Sequence, residues 1–172
     1  MKKKVLIVGG SSLVGKSLIK YFNKNSYKIY TTYNRNKISS NKFQHINQIK
    51  IDFNRLEDSN IEIKKLKNFD VIIFLSGIMK GTNLINFIDS EIHKIFKINV
   101  TSQIILLKKL LKLQKKRCTV VFISSVSGKK GSYDPIYAST KGAINALVKS
   151  ISKWESPKIK CIGVCSGLIK NT

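Results

Sequence analysis

Short apolar segments alternate with amphipathic segments along the whole chain, and this alternation restricts the fold more than any other feature. Six segments have the length and apolar content of β-strands: residues 4–8, 27–33, 48–52, 70–75, 118–124 and 159–165. The segment 70–75 is apolar at nearly every position, as expected for a strand that is buried on both faces of a parallel sheet. The alternation predicts an α/β fold, a doubly wound parallel sheet of about six strands with helices on both faces.

The segments between the strands have helical periodicity. Their apolar residues predict one long amphipathic helix from Asp89 to about Lys115, bent near Asn99, and another from about Tyr137 to Lys153. A weaker helix is predicted near Ile61 to Lys67. We find no repeat, linker or low-complexity segment, so the 172 residues are expected to form a single domain, 1–172.

The composition predicts a soluble cytoplasmic protein. The apolar runs are shorter than the roughly 18 residues that a membrane span requires. The run Val5 to Val8 is too short for the core of a signal peptide. Three cysteines are present, and Cys161 and Cys165 lie in an apolar segment, so we expect buried thiols rather than disulfides.

The net charge of +23 favours anionic partners, because Lys and Arg neutralise phosphates. Of the 32 basic residues, however, only three are Arg, the residue that recognises phosphates and bases in a bidentate way. The lysines are scattered over the chain, so we expect a solvated basic surface and no specific nucleic-acid partner. His45 and His93 have no partner at a ligand spacing, so no metal site is expected.

The loop between the first predicted strand and the first helix fits two phosphate-binding motifs. Residues Gly9 to Ser17 are Gly-Gly-Ser-Ser-Leu-Val-Gly-Lys-Ser. From Gly10 onward they match the P-loop pattern, with Lys16 near its end. With Gly9 and Gly15 as the first and last glycines, they match a dinucleotide-binding loop, whose helix N-terminus faces a phosphate.

The loop alone does not distinguish these two motifs. A P-loop protein needs its lysine folded back onto the terminal phosphates and an acidic metal ligand at the end of a second apolar strand. The candidate strand ends in Ser76-Gly77, and its acid, Asp70, lies at the other end. A P-loop nucleotide-binding protein is therefore kept as an alternative function.

A second motif follows the fifth predicted strand. The segment Tyr137-Ala-Ser-Thr-Lys141 comes after a strand end with the sequence Ile-Ser-Ser, and Ser125 precedes the tyrosine by twelve residues. This segment resembles the active-site segment of the short-chain dehydrogenase/reductase family of the classical type, which has a Tyr-x-x-x-Lys motif. Together with the glycine-rich turn after the first strand, the match is specific, and the resemblance covers essentially the whole chain.

The resemblance implies a Rossmann-like fold and extends to the positions that bind the cofactor in this family. Those positions are Gly9, Ser11, Ser12, Leu13, Val14, Gly15, Asn34, Arg35, Asp52, Phe53, Leu75, Ser76, Gly77, Tyr137 and Lys141. Some residues depart from the family pattern: Leu13 replaces a glycine, Val8 replaces a threonine and Ser166 replaces a proline. These departures concern the affinity for the cofactor and the rigidity of the loops more than the fold.

Reduction of a carbonyl group requires an acid near the oxygen, because hydride transfer produces an alkoxide. Tyr137 is the predicted proton donor and acceptor. Lys141 lies one helical turn later on the same face, where its charge is expected to lower the pKa of the phenol. The resemblance implies further that Lys141 holds the nicotinamide ribose, that Ser125 binds the substrate oxygen and that Asn99 anchors a water molecule.

The residues after the second strand predict the choice of cofactor. An acidic residue about twenty positions after Gly15 would bind the ribose hydroxyls of NAD, but this sequence has Asn34 and Arg35 there. A guanidinium can pair with a 2′-phosphate in a bidentate way. We therefore expect an NADP(H)-dependent oxidoreductase that interconverts a small-molecule carbonyl and an alcohol.

The resemblance also has implications for the C-terminal end and for assembly. Family members usually continue with a lid helix and a further strand, whereas this chain ends at Thr172. A truncated relative that binds nucleotide without turnover is therefore a second alternative. The two long helices form a four-helix bundle in dimers of the family, and Ile105, Leu106 and Leu113 are expected at its outward apolar edge, so we expect a homodimer.

Overall fold

Parallel strands form one sheet in the computed structural model, which describes residues 2–39, 43, 45–56 and 60–169. The strands are β1 (Lys4–Val8), β2 (Lys28–Tyr33), β3 (Ile46–Lys50), β4 (Val71–Phe74), β5 (Cys118–Ser125) and β6 (Ile159–Ser166). Their order is β3-β2-β1-β4-β5-β6, and neighbouring strands are parallel. The predicted doubly wound sheet is confirmed. Its strand order reverses between β1 and β4, the point at which such sheets bind ligands.

The helices of the described residues pack against this sheet or lead into its loops. They are α1 (Leu13–Lys24), α2 (Asn60–Lys64), α3 (Asp89–Phe96), α4 (Ser102–Lys112), α5 (Ser127–Lys130) and α6 (Pro135–Trp154), with a 3-10 turn at Leu84–Asn86. The sequence did not predict α5 and the 3-10 turn, because segments this short show no helical periodicity. In the ranges described above, no helix is long and apolar enough to cross a membrane.

The central strands are buried from both sides. The side chains of β1 from Val5 to Val8 are fully buried and alternate between two apolar clusters. Leu6 packs in the cluster that contains Ile144 of α6, and Ile7 packs in the cluster that contains Ile19 of α1. Burial of one such side chain stabilises the fold by about 1.5–3 kcal/mol. This packing fixes the loops at the carboxyl ends of the strands relative to one another.

A π-helical turn, Lys97–Thr101, joins α3 to α4. It interrupts the α-helical geometry at Asn99, where the sequence predicted a bend. Such turns hold one more residue than an α-helical turn and are frequent at functional sites. Asn99 is 1% exposed and reaches the loop after β4.

Two expectations are corrected by the structure. β3 begins and ends two residues earlier than predicted, so Asp52 lies in the loop after this strand. Leu106 was expected at the outward edge of α4 but is fully buried, whereas Ile104 and Ile105 are 37% and 40% exposed. The terminal residue Thr172 lies outside the described residues.

Candidate active site

The loop between β1 and α1 is packed too tightly for side chains at its glycines. Gly9 has a φ of +91°, and a Cβ atom there would lie 2.9 Å from Oγ of Ser76. A Cβ atom at Gly15 would lie 2.6 Å from the backbone of Gly10. Ser12 caps α1 by accepting a hydrogen bond from the N–H of Gly15 at 3.1 Å. This sharp turn with a closely packed helix start has the geometry of a dinucleotide-binding loop.

The described residues do not form a P-loop site. Lys16 is exposed on the first turn of α1 instead of folding back over the loop. Asp70 lies at the amino end of β4 and forms an ion pair with Lys116 at 2.7 Å. These positions do not support the alternative of P-loop nucleotide binding.

A cleft of about 360 Å³ opens at the carboxyl ends of β1 to β4. Its lining contains the predicted cofactor positions Gly9, Ser11, Ser12, Asn34, Asp52, Phe53, Leu75, Ser76 and Gly77, together with Thr32, Tyr33, Ile51, Ile78 and Ile98. Leu13, Gly15 and Arg35 lie outside this lining. Leu13 is 53% exposed, Gly15 supports the loop from behind, and Arg35 is exposed beside Asn34. The loops after four strands thus converge on one cleft.

A second pocket, of about 400 Å³, adjoins this cleft and contains Tyr137 and Lys141. The two cavities share the wall residues Ser12, Leu75, Gly77 and Ile78. The remainder of the second pocket is lined by Val14, Met79, Ile123, Ser124, Ser166 and Ile169. The predicted cofactor positions and the predicted catalytic pair therefore lie next to each other.

Ser125, Tyr137 and Lys141 come together at the carboxyl end of β5. Ser125 is the last residue of β5. Its Oγ atom donates a hydrogen bond to Oγ of Ser127 at 3.2 Å and accepts one from the N–H of Ser127 at 3.1 Å, and its hydroxyl lies near enough to the phenol of Tyr137 to lower the pKa of that group. Lys141 lies one turn further along α6, and its Nζ atom is 5.5 Å from the centre of the phenol ring. The same Nζ donates a hydrogen bond to the carbonyl of Ile123 at 2.9 Å. The end of a strand and the first turns of a helix hold these three side chains.

Burial shifts the pKa values of Tyr137 and Lys141 in opposite directions. Burial raises the pKa of Tyr137 above 10.0, the nearby hydroxyl of Ser125 lowers it in part, and the negative charge of Asp134 raises it further. Burial lowers the pKa of Lys141 from 10.5 to about 8. The prediction that Lys141 lowers the pKa of the phenol is wrong for this arrangement, because loss of solvent dominates. At neutral pH, Tyr137 is therefore a neutral phenol and Lys141 is mostly protonated.

Asn99 holds the loop that follows β4. Its Oδ1 accepts a hydrogen bond from the N–H of Ile78 at 2.8 Å, and its Nδ2 donates to the carbonyl of Ile78 at 2.8 Å. Nδ2 also donates to Oγ1 of Thr140 on α6 at 3.2 Å. Asn99 thereby joins the pocket wall to α6, the helix that carries Tyr137 and Lys141. Its predicted part in holding a water molecule stays a prediction.

Sequence reasoning missed polar residues that support the site from behind. The hydroxyl of Thr32 accepts a hydrogen bond from the N–H of Gly9 at 3.0 Å. Nε2 of Gln103 donates to the carbonyl of Ser76 at 2.7 Å. In the sequence, both residues look like ordinary polar positions of a strand and a helix, so no local signal identifies them.

Asp134 is a missed residue for which the sequence does hold a signal. It caps α6 by accepting a hydrogen bond from the N–H of Tyr137 at 2.8 Å. An acceptor followed by Pro135 is a typical helix start, and it places the beginning of α6 two residues before the predicted one. Over the described ranges, no three His, Cys, Asp or Glu side chains group as metal ligands.

Comparison with protein families decides which class of enzyme this site belongs to. The profile described as short chain dehydrogenase matches residues 3–172, almost the entire chain. The chain belongs to the short-chain dehydrogenase family. This family is the one that the Tyr-x-x-x-Lys motif at Tyr137 and Lys141 predicted.

Individual short-chain dehydrogenases and related proteins are similar to it over different lengths. Tropinone reductase-like 3 of Erythroxylum coca is 29% identical over 113 residues, 62% of this chain and 42% of that protein, so the chain matches less than half of that relative. The structure of ElxO with NADP bound is 30% identical with a TM-score of 0.86, over 99% of this chain and 75% of that one. A short-chain dehydrogenase/reductase of Brucella melitensis, 20% identical, shares the fold with a TM-score of 0.90 over 99% of this chain and 79% of that one.

Proposed function

We propose that this short-chain dehydrogenase is an NADP(H)-dependent oxidoreductase that interconverts a small-molecule carbonyl compound and its alcohol. The observation that carries the proposal is the position of one proton donor, the phenol of Tyr137. The neutral phenol of Tyr137, near the hydroxyl of Ser125, lines a pocket that adjoins the dinucleotide cleft. A carbonyl oxygen in this pocket meets both a proton donor and a second hydroxyl, as reduction requires.

The residues of the cleft fit a dinucleotide. Ser11 and Ser12 lie beside the N-terminus of α1, where free N–H groups suit a pyrophosphate. At Gly77, where the two cavities meet, a Cβ atom would lie 3.6 Å from both Lys141 Nζ and Asn99 Oδ1, so a longer side chain would fill the passage. When bound, the cofactor supplies or accepts the hydride.

Tyr137 transfers the proton in this proposal. Its raised pKa keeps the phenol protonated at neutral pH, so it can donate to the oxygen of a carbonyl that is being reduced. Ser125 orients the same oxygen. Lys141, protonated below about pH 8, holds a positive charge 5.5 Å from the centre of the phenol ring, where it stabilises the phenolate left after proton transfer. This protonation pattern favours carbonyl reduction near pH 7.

The end of β2 favours NADP(H) over NAD(H). Arg35 supplies an exposed cation next to Asn34, which lines the cleft. The acid of the cleft, Asp52, has its Oδ1 engaged by Asn34 at 3.4 Å and by the N–H of Asn54 at 2.9 Å. ElxO, which is 30% identical, has been solved with NADP and, as a Tyr-to-Phe variant, with NADPH. These observations support Arg35 as the partner of a 2′-phosphate.

We also propose a cytoplasmic homodimer that forms through α4 and α6. A groove of about 410 Å³ runs between these helices, and its apolar lining consists of Ile104, Leu107, Leu111, Leu147, Ile151 and Ile159. The same two helices of a second copy would cover this surface in an isologous contact. The three free cysteines, among them the buried Cys118 and Cys161, suit a reducing compartment.

Tyr137→Phe tests the proposed function, with Tyr133→Phe as the matched control, because Tyr133 is 71% exposed. Oxidation of NADPH is followed with cyclohexanone, diacetyl and tropinone as carbonyl probes. We expect Tyr137→Phe to lower kcat by about a hundredfold or more while the Kd of NADPH stays within about twofold. Full activity in this variant contradicts the mechanism. Binding of NADPH without turnover of any probe would favour the alternative of a relative that binds nucleotide only.

A further inference from the structure

A buried carboxylate lies beside the catalytic pair, and the proposed chemistry uses neither of its oxygens directly. Asp134 is 2% exposed and immediately precedes α6. Its Oδ1 atom accepts a hydrogen bond from the N–H of Tyr137 at 2.8 Å. Its Oδ2 atom accepts two more, from the N–H of Gly81 at 2.9 Å and from the N–H of Lys80 at 3.2 Å. One side chain thus joins the start of α6 to a distant loop, because Gly81 and Lys80 precede Asp134 by 53 and 54 residues in the sequence.

The second oxygen distinguishes Asp134 from an ordinary helix cap. A cap needs one acceptor for the first N–H groups of the helix, and Ser or Asn serves as well as Asp. A buried charge, however, is costly unless hydrogen bonds compensate it. Two N–H groups of the loop and the positive end of the helix dipole supply that compensation here. The carboxylate is therefore suited to hold two segments together, which a hydroxyl cap cannot do.

The loop that Asp134 holds is part of the wall of the catalytic pocket. Ile78 and Met79 line this pocket together with Tyr137. The loop is fixed by Asn99 at Ile78 and by Asp134 just after Met79. Ile78 is itself held by Asn99, and Met79 lies between Ile78 and the residues held by Asp134. Both Asn99 and Asp134 connect this wall to α6.

We propose that Asp134 is a positioning residue that fixes the pocket wall formed by Ile78 and Met79 relative to the phenol of Tyr137. The inference rests on the proposed function, because it assigns this wall to the substrate side of the reaction. Since Asp134 binds the backbone of both segments, the wall and the start of α6 move as one unit. A substrate packed against the wall keeps its carbonyl within reach of the phenol, and a displacement of about 1 Å can cost about a hundredfold in rate.

Hydrogen exchange tests the tether independently of activity. In Asp134→Ser, the hydroxyl still caps α6 but is too short to reach the loop. We expect the amides of Lys80 and Gly81 to exchange at least about tenfold faster than in the wild type, while the amide of Tyr137 stays protected.

Two further variants separate the tether from general loosening. Asn83→Ala is the matched control, because it removes the hydrogen bond that Asn83 accepts from the N–H of Asn86 in the same loop and leaves Asp134 intact. Asp134→Asn keeps the size of the side chain but has a single carbonyl oxygen, so it can accept from the helix or from the loop. In Asp134→Asn we expect either the amide of Tyr137 or the amides of Lys80 and Gly81 to lose protection. In Asn83→Ala we expect all three amides to stay protected.

Kinetics with NADPH and the three carbonyl probes tests the consequence for catalysis. Asp134→Ser should lower kcat/KM for the carbonyl by about tenfold or more, with the Kd of NADPH changed by less than about twofold. Unchanged protection of Lys80 and Gly81 in both Asp134 variants overturns the proposal, and so does unchanged kcat/KM when that protection is lost. A wild-type protein that binds NADPH and reduces none of the probes contradicts the proposed function instead, and the exchange data then decide on the tether alone.

Discussion

The buried charge of Lys141 predicts a specific dependence of stability on pH. Lys141 is 5% exposed, and burial lowers its pKa to about 8 in the folded protein, against 10.5 as the ordinary value. Between these two values the unfolded chain binds the proton and the folded protein does not. The free energy of unfolding therefore rises with pH from about pH 8 to about pH 10.5, and the contribution of Lys141 to stability is lowest below pH 8.

The magnitude follows from linkage. Each pH unit in this window is worth about 1.4 kcal/mol for one proton, so raising the pH from 7.0 to 9.5 should stabilise the wild type by about 2 kcal/mol through Lys141. Lys141→Met removes the titrating group and keeps most of the apolar stem. The free energy of unfolding of the wild type should therefore increase, relative to that of this variant, by about 2 kcal/mol between pH 7.0 and pH 9.5.

Urea unfolding followed by circular dichroism at pH 7.0 and 9.5 measures this difference. Subtracting the variant from the wild type cancels the contributions of the other lysines, which both proteins share. Lys149→Met, on an exposed position of the same helix, is the matched control and should show no such change. An unchanged difference for Lys141→Met between the two pH values would refute the argument that burial destabilises the protonated lysine.

Three further predictions concern the loop, the cofactor and assembly. Gly10→Ala should destabilise the protein by about 1–3 kcal/mol in urea unfolding, because a Cβ atom there would lie 1.8 Å from Oγ1 of Thr31. Arg35→Asp should reduce the preference for NADPH over NADH by about tenfold or more in fluorescence titrations, while Arg117→Asp at the other end of the sheet should not change it. Ile104→Glu should convert a dimer to a monomer in light scattering, because it places a charge in the groove between α4 and α6.

Controls and opposing outcomes are available for each of these three. Gly167→Ala meets nothing within 4 Å of its Cβ and should stay within about 0.5 kcal/mol of the wild type. Equal Kd values for NADPH and NADH in the wild type would remove Arg35 from the cofactor site. Ile85→Glu, at a residue that is 93% exposed, should leave a dimer intact, and a monomeric wild type at micromolar concentration would contradict the proposed interface.

The sheet could be predicted from the sequence because its central strands are apolar on both faces. Runs such as Val5 to Val8 carry that signal in the chain itself, and the observed β1 has the predicted bounds. The positions of Tyr137, Lys141 and Ser125 followed from spacing, since one helical turn and one strand end set their separation. Apolar runs and residue spacings are local properties of the chain, so they can be identified from the sequence alone.

The errors arise where a distant contact or an added residue decides the outcome. The extra residue of the π-helical turn at Lys97–Thr101 changes the faces of α4 relative to α3, so the apolar pattern counted from Asp89 misplaced Leu106. The pKa of Tyr137 had the wrong predicted direction because the loss of solvent depends on the tertiary packing around α6. The second oxygen of Asp134 likewise has its partners more than fifty residues away.

In the proposed function, the wall that the two cavities share links the affinity for the nucleotide to the affinity for the carbonyl compound. Ser12, Leu75, Gly77 and Ile78 face both the cleft and the catalytic pocket, so a rearrangement of these residues caused by one ligand alters the surface offered to the other. Such coupling is reciprocal: the factor by which NADPH tightens the binding of a carbonyl equals the factor by which the carbonyl tightens the binding of NADPH. We therefore expect an ordered mechanism in which the nucleotide binds first, because the bound nucleotide shapes the wall against which the smaller ligand packs.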